Sequence, residues 1–299
     1  MSSFDSILLP LDGSLQAAKA VPCALWLAER LHATLHVLHA APHPLAPANA
    51  LERLSALAAQ RSRTVLHQTK VDPVQAVLEA TKEHHVKLVV ITARGESASR
   101  DVERGRTLGR IARALVVESS VPVLLVPLHD RSVLPWRSML VAASGDPESD
   151  EALATAARLA SALDLRVTVV HVIAEPGSGA LGQYADAAYH ELPWRLEEMV
   201  KRALLSSSPE DIGRIEGLAV RRGDPITEVI AEVEQRRSSV VAVGWHGDLS
   251  PEHANVLLGL LERAAFPLLV VRKPPPSEFR LKVGDEIGPR PDSTEGDHV

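Results

Sequence analysis

The chain has 299 residues, which predicts about two domains, and its apolar fraction of 45% and charged fraction of 23% are those of an ordinary globular protein. Its net charge of −6 argues against general nucleic-acid binding, which favours a basic surface. The single cysteine, Cys23, excludes an intramolecular disulfide and fits a reducing cytoplasm. No apolar run approaches the roughly 18 residues of a membrane span, so we expect no membrane insertion.

The first half of the chain alternates short apolar runs with helical patterns. The run SILLP at 6–10 has no basic segment before it, so it is predicted to be the first strand of a cytoplasmic protein. An Ala- and Leu-rich helix leads to a second strand, LHVLHA, at 35–40. Asp72 followed by proline predicts a helix start, because Asp caps free amides and Pro suits the first helical position. The strand KLVVIT at 87–92, a glycine- and arginine-bearing loop, a helix and the strand VPVLLVP at 121–127 complete this half.

The second half of the chain repeats this order of elements. Segments 6–40 and 138–173 both run strand, polar loop, helix and strand. The residues at matching places are His39 and His171, Asp72 and Asp224, and Pro122 and Pro267. We therefore predict two homologous domains, called repeat 1 and repeat 2 below.

Short, nearly continuous apolar strands between amphipathic helices are typical of a parallel sheet buried on both faces. Each repeat is therefore predicted to be a doubly wound α/β domain with five parallel strands. The fifth strands, VPVLLVP and FPLLVV, would be aggregation-prone if they remained exposed edges. We expect the two domains to pair through these strands about a pseudo-twofold axis.

The predicted domain boundaries follow the repeats. Repeat 1 occupies 1–128, a polar linker interrupted by proline occupies 129–137, and repeat 2 occupies 138–273. Repeat 2 carries an insertion at 174–213 that begins rich in Gly and Ser. The segment 274–299 is rich in Pro and charge, so it is predicted to be a flexible tail.

A ligand of an open parallel sheet binds beyond the carboxyl ends of the strands, where the strand order reverses. In repeat 1 these ends carry Asp12, Ala40 and the loop that runs from 92 to 109. The matching parts of repeat 2 have Ser144 in place of the aspartate and a loop that begins at Gly244.

These motifs, found twice in the same order and spacing, resemble the universal stress protein family. They are ILLPLDGS, the end of the second strand, the helix start of the Gly-Asp-Pro type, Gly-x-x-Gly after the fourth strand and the final PVLLV strand. The resemblance covers 4–128 and 137–272. The resemblance implies adenine-nucleotide alpha-hydrolase-like domains. In members that bind ATP, an Asp after strand 1 holds adenine. A Gly-x2-Gly-x9-Gly-(Ser/Thr) loop holds ribose and phosphates, because glycines let the backbone approach an anion.

On this resemblance, repeat 1 keeps the adenine position and departs from the family in its loop. Asp12 stands at the adenine position, with Pro10 and Ala40 beside it. In the loop, the candidate residues are Thr92 in place of the first Gly, Gly95 at the second, and Gly109 and Arg110 at the expected helix start. Arg110 replaces the expected Ser/Thr, and the loop is too long.

The arginines of this loop leave two interpretations open. They either donate charge-assisted bonds to a phosphate, or they pair with acidic residues of the same solvated loop. The arginines are Arg94, Arg100, Arg104, Arg106 and Arg110, and the acidic residues are Glu96, Asp101 and Glu103.

Repeat 2 shows the opposite departure. Gly244 and Gly247 keep the first part of the loop motif and are weaker candidates for nucleotide binding. Ser144 stands at the adenine position, and counting back from the last strand puts Ala254 and Asn255 where Gly-Ser is expected, so the loop is too short.

No metal site or catalytic set is recognisable in the sequence. His36 and His39 fall on opposite faces of one strand because side chains alternate, and His246 with His253 offers only two neutral ligands. No nucleophile–base–orienter set and no Gly-x4-Gly-Lys-Ser/Thr loop is present. We therefore predict no metal and no dedicated catalysis, and weak ATP hydrolysis stays open.

The predicted function is that of a cytoplasmic tandem universal stress protein, a regulatory sensor in the stress response that binds ATP or AMP in repeat 1. The alternative is a scaffold or adaptor that binds no nucleotide and acts through an unidentified protein partner. Nucleic acid and membranes are not expected partners. The two domains are expected to pair within the chain, and a homodimer of chains is allowed.

Overall fold

A computed structural model describes residues 4–40, 63–95, 107–145, 147–173, 188–205 and 207–272, and these contain a sheet of ten strands. The strands of repeat 1 are β1 (Ser6–Pro10), β2 (Thr34–Ala40), β3 (Thr64–Thr69), β4 (Leu88–Thr92) and β5 (Val123–Val126). Those of repeat 2 are β6 (Ser138–Ala142), β7 (Arg166–Ile173), β8 (Ile215–Arg222), β9 (Val240–Trp245) and β10 (Leu268–Arg272).

The helices lie between these strands, and the two whose caps were predicted begin at those caps. Those of repeat 1 are α1 (Val21–Leu31), preceded by the 3-10 turn Ala17–Ala20, α2 (Pro73–Glu83) and α3 (Arg110–Glu118). Those of repeat 2 are α4 (Pro147–Leu163), α5 (Ala188–Ala203), α6 (Pro209–Ile212), α7 (Pro225–Arg236) and α8 (Pro251–Arg263). Asp72 accepts from the Val74 and Gln75 amides at the start of α2, and Asp224 accepts from the Thr227 amide at the start of α7.

The strand order is β3-β2-β1-β4-β5-β10-β9-β6-β7-β8. Every neighbouring pair of strands within a repeat is parallel. The first three strands of each repeat extend the sheet in one direction, and the fourth and fifth are added on the other side of the first strand. The predicted doubly wound α/β fold is therefore confirmed, and strand order reverses between β1 and β4 and between β6 and β9.

The two repeats join at a pseudo-twofold axis between their fifth strands. β5 and β10 pair antiparallel, with Leu124 opposite Leu269. These two leucines occupy the same place in the two repeats. Leu125 faces Leu268 on one side of this pair, and Val123 faces Val270 on the other. The predicted pairing through the fifth strands is confirmed, because each apolar edge covers the other.

The sheet is buried on both faces. Ile7 and Leu9 of β1 belong to one apolar layer and Leu8 belongs to the other, and all three are fully buried. The first layer carries α1, α4 and α5, and the second carries α2, α3, α7 and α8. Near the linker, Trp136 packs on Trp26 with ring centroids 5.0 Å apart. Among the described residues, no helix has the length and apolar character needed to cross a bilayer.

The predicted insertion at 174–213 contributes α5 and α6, while its first part lies outside the described residues. The predicted flexible tail at 274–299 also lies outside them.

Candidate functional site

A cavity of about 350 Å³ opens in repeat 1 beyond the carboxyl ends of β1, β2 and β4. It lies where the strand order reverses, which is the place that the fold predicts for a ligand. Its volume is at the lower end of the range of about 300–1,000 Å³ for small-molecule pockets. All seven residues predicted for repeat 1 lie on its wall: Pro10, Asp12, Ala40, Thr92, Gly95, Gly109 and Arg110.

Asp12 follows β1 and is held close to the loop after β4. Its Oδ1 accepts a hydrogen bond from the Ser14 amide at 2.9 Å, which orients the carboxylate. Its Oδ2 lies against Gly95, where an added Cβ would stand 2.6 Å from that oxygen. This close approach explains the glycine at 95, because no side chain fits between the loop backbone and the carboxylate.

The end of β2 is fixed to the loop after β1 by a buried histidine. His39 Nδ1 lies 2.9 Å from the Leu11 carbonyl oxygen, so that nitrogen donates the hydrogen bond. His171 makes the same contact in repeat 2, 2.8 Å from the Ala143 oxygen. Because both repeats use the same contact, it is a structural feature of the fold that positions Ala40 on the cavity wall.

The start of α3 forms a further part of the wall. Gly109 is the N-cap residue, as the count from the fifth strand predicts, and its amide donates to the Ala93 oxygen at 2.8 Å. No side chain caps this helix, and its first-turn residues Ile111 and Ala112 line the cavity. The first amides of a helix carry partial positive charge, so this end of the cavity favours an anion.

Arg110 pairs across the mouth of the cavity with the residue that caps α2. Its Nη1 lies 2.9 Å from Asp72 Oδ2, and both side chains are largely exposed. This hydrogen bond is the main cause that lowers the pKa of the Asp72 carboxyl below its usual value. An exposed pair of this kind contributes little to stability, so it can open without a large cost.

Neither interpretation of the loop arginines anticipated these partners. Arg110 bonds to Asp72, and Arg94 donates to the Thr107 oxygen at 3.0 Å. The remaining residues of that hypothesis lie outside the described residues: Arg100, Arg104, Arg106, Glu96, Asp101 and Glu103.

The apolar part of the wall was not predicted from the sequence. It is formed largely by Leu38, Val77, Ile91 and Ile111. Val77 belongs to the apolar stripe of α2, which predicts burial. Such a stripe does not distinguish a side chain in the core from one that borders a cavity.

Repeat 2 differs from repeat 1 at the places that match the cavity wall. Trp245 stands at the place of Ala93 and is buried in the same apolar layer. Gly244 lies in β9, and Gly247 follows it with a φ of +98°. An added Cβ at Gly247 would lie 3.0 Å from Arg272 Nε, so the arginine side chain covers this glycine.

The helix after this loop begins earlier than the count from β10 predicts. α8 starts at Pro251, so Ala254 lies inside the helix rather than at its start. Proline suits the first helical position, and this local signal moves the boundary. Gly259 packs against Ile226 of α7, which accounts for it as a helix-packing residue.

An open parallel α/β sheet with a cavity at its reversal of strand order defines a doubly wound protein of the class that binds ligands at the switch point. Within this class, the sequence model of the universal stress protein family matches residues 3–62, 45–127 and 135–272. The chain therefore belongs to the universal stress protein family, with two such domains in tandem.

Solved structures share this architecture. A universal stress protein from Archaeoglobus fulgidus DSM 4304 is 19% identical, with 90% of this chain and 98% of that chain covered and a TM-score of 0.62. A functionally unknown protein from Pseudomonas aeruginosa PAO1 is 15% identical, with 90% and 92% covered and a TM-score of 0.64. A universal stress protein in complex with cAMP is 13% identical, with 46% and 96% covered and a TM-score of 0.35. Comparison with curated proteins gives no match. At these identities the likeness to the first two structures concerns the fold alone, and none is drawn from the third.

Proposed function

We propose that this universal stress protein is a stress-response regulator that binds an adenine nucleotide, ATP or AMP, in the cavity of repeat 1. The observation that carries the proposal is that one cavity has the Asp12 carboxylate on its wall together with the uncapped start of α3. A hydrogen-bond acceptor and a region that favours anions are the two features that a nucleotide needs from a binding site.

In the proposed complex, the adenine base lies at the Asp12 side of the cavity. An ionised carboxylate only accepts hydrogen bonds, and the exocyclic amine of adenine is a donor. Leu38, Val77 and Ile91 supply the apolar surface that packs on a flat aromatic ring. The contact from Ser14 holds the carboxylate in place before the ligand arrives, which limits the entropy cost of binding.

In the proposed complex, the phosphates lie at the start of α3. Its first-turn amides and partial positive charge stabilise an anion there. Arg110 lies beside this point and can leave the exposed Asp72 carboxylate for a phosphate, to which a guanidinium can donate two parallel hydrogen bonds. A cavity of about 350 Å³ suits the base and ribose, and the phosphates then extend toward the rim.

We propose binding without dedicated catalysis. The ring of His39 is bonded through Nδ1 to the Leu11 carbonyl, and His171 makes the same contact in repeat 2. The histidine therefore serves the fold rather than proton transfer. A nucleotide that touches the loops after β1 and β4 stabilises repeat 1 by mass action, so its concentration sets how firmly these loops are held.

The decisive experiment is calorimetric titration of ATP and AMP into the full chain, its Asp12→Ala variant and its Ser144→Ala variant. Ser144 is the counterpart of Asp12 in repeat 2 and therefore the matched control. We expect Asp12→Ala to weaken binding about 10- to 150-fold, because a hydrogen bond to a charged group contributes about 1.5–3 kcal/mol. Ser144→Ala should bind as the parent does.

Two results would redirect the proposal. No saturable binding at millimolar ATP would overturn it and favour the adaptor that acts through a protein partner. Binding that survives Asp12→Ala but is lost in Gly247→Val would move the site to repeat 2.

A further inference from the structure

Three histidines of repeat 1 meet on the face of the sheet covered by α2. They are His36 on β2, His67 on β3 and His84 at the end of α2. Each offers a ring nitrogen, and these nitrogens all lie within 4.8 Å of one another. His36 Nδ1 and His67 Nε2 share a hydrogen bond of 2.9 Å. The rings stack, with centroids 4.7 Å apart for His36 and His84 and 4.2 Å apart for His67 and His84.

The strand register explains why these side chains converge. His36 pairs with Leu8, and His67 pairs with Leu38. Paired residues on adjacent strands point to the same face, and Leu8 and Leu38 belong to the apolar layer under α2. The two histidines are therefore directed toward that helix, which ends above them at His84.

The backbone holds His84 in place on two sides. Its amide donates to the Ala80 oxygen at 3.0 Å, and its own carbonyl accepts from Ser6 Oγ at 3.0 Å. The site is thus built from two strands and a helix end, which are rigid supports for a ligand set. The carboxyl end of a helix also carries partial negative charge, which favours a cation.

Two rings of the cluster, those of His36 and His67, are harder to protonate than a free imidazole. Burial and the neighbouring imidazoles of His84 and His67 lower the pKa of His36 to about 4. The pKa of His67 is lowered for the same reasons, burial first and His84 next, although Glu83 opposes the shift. These shifts reflect how closely the three rings are packed.

Repeat 2 shows that the fold does not require these histidines. The same places are occupied there by Thr168 on β7, Ala219 on β8 and Arg236 on α7. The homologous domain forms the same strands and helix with this different set. The three half-buried imidazoles of repeat 1 therefore need a reason other than the architecture.

We propose that His36, His67 and His84 form a binding site for a divalent metal ion of borderline softness, with Zn²⁺ as the first candidate. Imidazole is a preferred ligand of Zn²⁺, with a Zn–N distance of about 2.0–2.1 Å and tetrahedral geometry. Such geometry sets the ligand nitrogens about 3.4 Å apart. The three rings, whose nitrogens lie within 4.8 Å of one another, must turn out of their stacked arrangement to reach this spacing.

On binding, the proton that His36 and His67 now share in their hydrogen bond moves to the outer nitrogen of its own ring. Each ring remains a neutral imidazole and donates one lone pair to the ion. Three protein ligands leave a fourth position for water or for another group.

The test is titration of Zn²⁺ into the full chain without a purification tag, followed by the visible spectrum of the Co²⁺-substituted protein. We expect one high-affinity ion per chain and intense d–d bands typical of tetrahedral Co²⁺. His67→Gln and His84→Asn should each weaken this binding at least about 100-fold, since even the loss of an outer-shell partner costs about 10- to 100-fold. The control is His85→Asn, which changes the next residue at the same helix end and suits its φ of +48°.

Three results would overturn the proposal: no saturable Zn²⁺ binding, binding that His67→Gln and His84→Asn leave intact, or binding that His85→Asn abolishes equally. Circular dichroism of each variant establishes that it is folded. The metal site is separate from the proposed nucleotide site. Pro73 and Val77 at the start of α2 border the cavity, whereas His84 lies at the carboxyl end of that helix. Asp12→Ala should keep the ion, and His67→Gln should keep ATP binding.

Discussion

Gly95→Ala is the substitution that most sharply separates binding from stability in this protein. An added Cβ would lie 2.6 Å from Asp12 Oδ2 and 3.7 Å from its Cγ, and no other heavy atom lies within 4 Å among the described residues that are not its chain neighbours. The φ of Gly95 lies outside the left-handed region, so the backbone itself accepts alanine. The whole effect of the substitution is therefore displacement of one carboxylate.

The expected magnitudes differ for folding and for nucleotide binding. Replacing Gly by Ala at a compatible φ stabilises by about 0.4–1 kcal/mol, and forcing Asp12 off its rotamer costs about 0.5–1.5 kcal/mol. These terms nearly cancel, so the free energy of unfolding should change by less than about 1 kcal/mol. Loss of the hydrogen bond from the ligand to the carboxylate costs about 1.5–3 kcal/mol, which raises the Kd for ATP about 10- to 150-fold.

The assay is a double-mutant cycle with Asp12→Ala. Urea denaturation gives the free energy of unfolding, and calorimetry gives the Kd for ATP of the four proteins. In the Asp12→Ala background, Gly95→Ala should have no further effect on Kd, because its target is gone. A folded Gly95→Ala variant that binds ATP as tightly as the parent would refute the reasoning, and so would a loss of affinity that persists without the Asp12 carboxylate.

Two further predictions concern stability in repeat 2. Glu232 is fully buried; burial pushes its pKa up, but bonds from Arg236 and Arg221 outweigh this and lower it. Glu232→Gln should destabilise by about 2 kcal/mol at pH 7, because it removes the charge to which the two arginines bond. The loss stays this small because the partly exposed arginines can rehydrate. A lowered folded pKa stabilises above the unfolded pKa of about 4.3, so the difference from the parent in urea denaturation should shrink as pH falls below about 4; a difference that is constant down to pH 3 contradicts this. Gly259→Ala would overlap Ile226 Cδ1 and should lower the thermal midpoint, and Ile226→Val, which removes that atom, should offset the loss in the double variant.

Much of the fold was predictable because its signals are local. Asp72 and Asp224 each cap a helix whose first residue is proline, and the structure places α2 and α7 at those points. The apolar runs predict strands buried on both faces, since few residues in them can face water. The count from the fifth strand placed Gly109 at the start of α3, but the same count failed in repeat 2, where Pro251 starts the helix earlier.

The candidate site was predictable only in part. The internal repeat and the family resemblance singled out seven residues, and all seven border one cavity. The sequence did not indicate that Asp12 Oδ2 presses on Gly95 or that Arg110 pairs with Asp72. Those contacts join residues that are far apart in the chain, and no local pattern encodes them.

The sequence by itself determined that two homologous α/β domains exist, where four of the five strands of each lie, and which end of each sheet is suited to a ligand. These features depend on hydrophobic periodicity and caps, which act over a few residues. Tertiary structure alone decided that His36, His67 and His84 share one point, and that Asp12, Gly95 and Gly109 border one cavity. The physical reason is that strand register and helix placement set distances between side chains that are remote in the chain, and a metal site or a cavity consists of such distances.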